Sequence, residues 1–168
     1  MVGGFDASRE PLAAEDAEIG FRIRRAGYQL RFERHARVGH FHPTDLVRYL
    51  ETQKHHGYWR IRLDVRHPAR LGGDIYHGLI DYAQPALAVL LLATIPFLFA
   101  ASARWFAIGI LLALAAAQAP MTWRVVRRTQ RPRYVSFATM SFVRAFWRGA
   151  GMTSGLISAV WARTAEPV

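Results

Sequence analysis

Apolar and polar positions follow three different rhythms along this chain. Between Glu15 and Ala26 the apolar residues Ile19, Ile23 and Ala26 recur at i, i+4 and i+7, which predicts a helix that Gly27 is placed to stop. Tyr28, Leu30 and Phe32 then alternate with Gln29, Arg31 and Glu33, the period of a half-buried strand, and Val38 to His42 reads as a second short strand ended by Pro43. Thr44 or Asp45 can cap a further helix running to about Leu63, with Leu46, Leu50 and Gln53 on one side. Met1 to Asp6 reads as a loop, and His67-Pro68 with Gly72-Gly73 as a linker.

Beyond the linker the rhythm gives way to continuous apolar runs. Ala83 to Ala103 is 21 residues without a charge and Trp105 to Trp123 another 19, close to the roughly 20 residues that span a bilayer. Joined by a few residues around Ser102 and Arg104, they predict an antiparallel transmembrane hairpin. Tyr134 to Trp161 is apolar too, but Arg144 and Arg148 share one helical face while Phe142, Val143 and Phe146 face the other way. An arginine at a bilayer centre costs about 2.5–3.5 kcal/mol, so an in-plane amphipathic or re-entrant helix is expected, with a third span as the alternative. Gly151-x-x-x-Gly155 permits close helix packing.

Charge sharpens the division. Of the 12 acids only Glu166 lies after Ala83, and the net charge of +10 comes from arginine with the single lysine Lys54. Arg124, Arg127, Arg128, Arg131 and Arg133 follow the second run without an acid among them, which places that side, and the first half with it, in the cytoplasm. Because the basic residues flank apolar runs, anionic lipid headgroups fit better as partners than nucleic acid does. The absence of cysteine excludes disulfides and thiol chemistry.

The candidate chemistry sits in the first half. Glu15 and Asp16 form an adjacent acid pair opening a helix after the turn Gly3-Gly4-Phe5-Asp6. Helix amides can fix such a carboxylate, and glycines let a substrate approach the backbone, an arrangement suited to a general base; without the flanking pattern, acids here would simply complement the helix dipole. The glycine turn, the acid pair and the helix end from Arg22 to Gly27 resemble the acceptor side of family 2 glycosyltransferases of the GT-A type. The resemblance covers about residues 3–60.

It implies an α/β fragment over residues 1–65, the C-terminal part of a GT-A domain; the apolar and basic runs then give an interfacial linker over 66–82, the transmembrane hairpin over 83–123 and a basic loop with an amphipathic or re-entrant C-terminal helix over 124–168. It further implies that Asp16, beside Glu15, deprotonates an acceptor hydroxyl, that Gly3, Gly4, Phe5 and Asp6 line the acceptor site, and that His40, with His42 as fallback, ligates a divalent Mn or Mg ion holding the diphosphate of a nucleotide-sugar donor. The stretch from Gln53 to Arg60 departs from the Gln-x-x-Arg-Trp motif of processive synthases, because His56-Gly57 stands where Arg-Trp belongs. No Asp-x-Asp occurs anywhere in the sequence. The expectation is therefore a C-terminal piece of a multi-pass enzyme of the cell's inner membrane, inactive without a nucleotide-binding half. The alternative is a small basic membrane protein that scaffolds partners or binds anionic lipid.

Overall fold

The computed structural model describes residues 3–4, 15–39, 44–66 and 79–165. They fold into six α-helices: α1 Glu15–Arg25, α2 Leu46–Arg66, α3 Leu79–Ala93, α4 Ala101–Ala116, α5 Ala119–Thr129 and α6 Ser136–Ala165. The helix starts and stops follow local chemistry. At the end of α1, Gly27 adopts φ +88°, its N–H donates to the Arg24 carbonyl (3.0 Å) and that of Tyr28 to the Ile23 carbonyl (3.2 Å), a Schellman closure. Asp45 caps α2, its Oδ2 accepting from the Arg48 N–H at 2.8 Å.

The expected α/β fragment is not formed: among the described residues there is no strand. Residues 28–32 are irregular, and Tyr28, Leu30 and Phe32 (93 % exposed) stand in solvent, as does Val38. A turn closes at Glu33–Ala36, where the Ala36 N–H reaches the Glu33 carbonyl at 3.3 Å and the His35 N–H reaches the Glu33 carboxylate at 3.0 Å. No ladder grows from it. An alternating segment becomes a strand only when a neighbouring strand takes up its N–H and C=O groups, and a lone two-stranded ribbon is marginal in water.

The helical hairpin is present, with its corner moved. A 3-10 turn at Ile95–Phe97 follows α3, residues 98–100 form the corner, and Ser102 and Arg104 belong to the first turn of α4. The second apolar run is broken at Ala117–Gln118, and Arg124, Arg127 and Arg128 lie on helix α5 rather than in a loop. Gln84 of α3 donates from Nε2 to the Ala117 carbonyl at 3.0 Å, satisfying one group that the break frees. Two helical stretches, Ile80–Phe97 and Ala101–Thr129, are long and apolar enough to cross a membrane, and only 22 % of the apolar window of each is buried. The core helix of a soluble protein would bury far more of such a window.

Tertiary structure is organised by α6, a continuous helix of 30 residues. It packs along α2 and also contacts α3, α4 and α5. Ala88 of α3, Leu114 of α4 and Ala145 of α6 form a small core, against which Leu87, Phe142 and Phe146 pack. The phenylalanine side expected to face away from the arginines thus meets protein. The glycine spacing, a weak signal in sequence, sets α6 against the backbone of α2. A Cβ at Gly151 would strike the Lys54 carbonyl oxygen, one at Gly155 would lie 2.5 Å from the Tyr58 carbonyl oxygen, and one at Gly57 would strike the Arg148 carbonyl. Helices this close exclude any side chain between them.

Candidate functional site: the acid-pair helix and the polar seam of α2, α3 and α6

Glu15 and Asp16 are the first described residues of helix α1. The carboxylates of Glu15 and Asp16 lie outside the described residues, as do Phe5, Asp6, His40 and His42. What the structure does bring together is the glycine turn and this helix. Gly3 takes φ +73°, a conformation open to glycine, and the Arg22 Nη2 donates to the Gly4 carbonyl at 2.8 Å. The same guanidinium pairs with Glu18 one turn earlier at 2.9 Å, and its Nη1 would lie 3.4 Å from a Cβ at Gly3. On the other side of α1, a Cβ at Gly20 would contact Leu30 Cδ1 at 3.4 Å. Three parts of the sequence pattern are therefore held on one short helix.

Among the described residues no group of three His, Cys, Asp or Glu side chains is placed to hold a metal ion. The described residues do not by themselves fit the expected Mn or Mg.

A second constellation was not anticipated from sequence. On α2 the positions Leu50, Gln53, Gly57 and Asp64 keep one buried register, and Asp64 is only 2 % exposed. Arg60 lies 3.4 Å from its Oδ2. The Tyr82 hydroxyl of α3 donates to that oxygen at 3.0 Å and accepts from Arg60 Nε at 2.8 Å and Nη2 at 2.6 Å. Asp64 Oδ1 is buried with no hydrogen-bond partner among the described residues. Beside it, Arg62 donates to the Tyr58 hydroxyl (2.8 Å) and to Ser158 Oγ of α6 (2.7 Å), which ties α2 to α6.

Arg148 of α6 approaches Asp81 of α3 at 3.7 Å. Burial lowers the pKa of the Arg148 guanidinium, Arg144 adds repulsion in the same direction, and Asp81 opposes both. The sequence signal for this seam was an acid four residues after an arginine in the register of a buried stripe; a polar residue there requires partners on a second helix. Asp64→Asn keeps the volume and removes the charge that orders Arg60 and Tyr82. Hydrogen bonds to charged groups contribute about 1.5–3 kcal/mol, so the unfolding midpoint in neutral detergent is expected to fall, whereas Asp45→Asn, which still caps α2, leaves it nearly unchanged. An unshifted midpoint for Asp64→Asn would show that the carboxylate does not hold the seam together.

The break between α4 and α5 leaves two more buried orphans among the described residues, Gln118 Oε1 and Thr122 Oγ1. Gln118 Nε2 donates back to the Leu114 carbonyl at 2.9 Å. No family model, no curated protein and no solved structure matches this chain.

Proposed function

We propose that this chain is the acceptor-side and membrane-anchoring part of a family 2 glycosyltransferase, with Asp16 as the general base. The observation that carries the reading is the Arg22 clamp: one residue of the motif holds the Gly3-Gly4 turn against the helix that the acid pair opens, at 2.8 Å from the Gly4 carbonyl. In this reading the acceptor hydroxyl rests on that turn. Asp16 takes the hydroxyl proton, the oxygen forms a bond to the anomeric carbon, and the bond from that carbon to the diphosphate breaks with the electron pair leaving on the nucleotide diphosphate. Glu15, the neighbouring acid, is assigned a lesser role.

Donor binding is assigned to a nucleotide-binding half outside this sequence, because no Asp-x-Asp occurs in it. That half would supply most ligands of the divalent ion, with His40 contributing from this chain.

The same proposal makes the protein a multi-pass protein of the inner membrane with α1 in the cytoplasm. Two apolar helical stretches and arginines on α5 support that orientation. Cysteine labelling tests it: Arg127→Cys is expected to react from the cytoplasmic face and Ser102→Cys only from the opposite face. Labelling of Ser102→Cys from the cytoplasm would reverse the topology. The second reading, a basic non-enzymatic membrane protein, draws on the exposed arginine face of α5; it predicts that sugar transfer is never restored by any nucleotide-binding half.

A further inference from the structure

We infer that one face of α5 is a binding site for the headgroup of an anionic phospholipid. Pro120, Trp123, Arg124, Arg127 and Arg128 follow i, i+3, i+4, i+7 and i+8, a single helical stripe. They line one open groove of about 590 Å³. Trp123 and Arg127 also wall a second groove, of about 550 Å³, with Val126, Gln130 and Pro132. Trp123 is 66 % exposed, and Arg124, Arg127 and Arg128 are exposed as well, with no ion-pair partner among the described residues. The stretch 82–165 contains no acid at all, so their charge is left for an external anion.

The neighbouring surface identifies the occupant. α4, immediately before the break, exposes Ile108, Leu111 and Leu112, so the helix that runs up to the cationic groove is apolar at exposed positions. A ligand that matches both parts has acyl chains and a phosphate. Indole belongs at the level where those parts meet, and guanidinium groups bind phosphate oxygens in pairs. A nucleic acid would match only the arginines. The site rests on the reading of α4 as membrane-embedded with α5 at its cytoplasmic edge, and deepens it from general attraction to a defined place.

The test uses the full chain in a neutral detergent, with phosphatidylglycerol and phosphatidylcholine offered at equal concentration and bound lipid counted by native mass spectrometry. Retention of phosphatidylglycerol is expected to exceed that of phosphatidylcholine by at least about tenfold. One basic side chain near an anionic surface is worth about a fivefold change in affinity, so Arg124→Gln, Arg127→Gln and Arg128→Gln combined should weaken phosphatidylglycerol binding by about a hundredfold. Arg24→Gln, Arg25→Gln and Arg48→Gln combined, removing the same charge from exposed positions elsewhere, should leave it within about twofold. Equal retention of the two lipids, equal losses from the two triple variants, or displacement of the lipid by a single-stranded RNA oligonucleotide would overturn the assignment. Extraction of the chain from membranes by alkaline carbonate is measured separately; release there would overturn the membrane reading itself, whereas lost headgroup preference with retained membrane insertion removes only the site.

Discussion

Gly151→Ala is expected to lower the stability of the protein even though alanine is the better helix former. In a helix interior free of tertiary contact, alanine gains about 1 kcal/mol over glycine. Gly109 in α4 is such a place, with nothing within 4 Å of an added Cβ, and Gly109→Ala should therefore hold or raise the unfolding midpoint. At Gly151 the added carbon meets the backbone carbonyl of Lys54, and at Gly155 that of Tyr58. Backbone cannot rotate aside as a side chain would. Overpacking of this kind costs about 1–3 kcal/mol, and for a chain of this length each kcal/mol is worth about 2–4 °C. Gly57 faces Arg148 from the other helix, so the contact is reciprocal and cannot be relieved by a small slide of α6 alone. Gly151→Leu with Gly155→Leu should separate α2 from α6 altogether. That loss would be seen as exposure of the Tyr58–Ser158 hydrogen bond, 3.1 Å long in the folded protein, and as early proteolysis of α2. Opposite signs at positions 109 and 151 are the decisive result; a midpoint raised by both alanines would mean that the two helices do not approach this closely.

Helix α1 and its stop at Gly27, the Asp45 cap of α2 and the two apolar stretches were legible in the sequence because each rests on interactions within a few residues. The strand at 28–32 was misread for the opposite reason. Its alternation is real, but a strand is defined by a partner, and the described residues supply none. The break at Gln118 was hidden inside a long apolar run, since a cross-helix bond from Gln84 makes the break tolerable and no local signal reports such a bond. Asp64 was passed over because a charge on a helix is read as solvated until the register of Leu50, Gln53 and Gly57 shows its side to be covered. Gly151 and Gly155 carried the right signal at low specificity: glycine spacing says that helices can approach, and only the position of α2 says that they do. The acid pair stands between these cases. Its place on a helix was read from the pattern, whereas the Arg22 hydrogen bond to the Gly4 carbonyl has no local signal, since it joins residues 18 apart.

Asp16→Asn is expected to cut sugar transfer by about 10²–10⁴-fold, the usual worth of a positioned base. The assay requires this chain together with a nucleotide-binding half that carries an Asp-x-Asp, because the sequence has none of its own. Asparagine keeps the size and the capacity to accept a hydrogen bond at the first turn of α1, but it cannot take up the acceptor's proton. The loss should therefore appear in turnover, while donor affinity, assigned to the other half, changes little. Glu15→Gln should cost far less, since it removes a neighbouring charge and leaves the base. Arg22→Lys separates positioning from chemistry. Lysine keeps the charge beside Glu18 but cannot span Glu18 and the Gly4 carbonyl with a planar fork, so it should raise the KM for the acceptor more than it lowers turnover. Three alternatives have distinct signatures. If Asp16→Asn and Glu15→Gln lose activity equally, the pair only complements the helix dipole, worth about 0.3–1 kcal/mol per acid. If Asp16→Asn transfers sugar at the unsubstituted rate, the base lies elsewhere. If no nucleotide-binding half ever restores transfer while the chain still inserts into membranes, the acid pair is a helix cap on a lipid-binding protein and the glycosyltransferase reading fails.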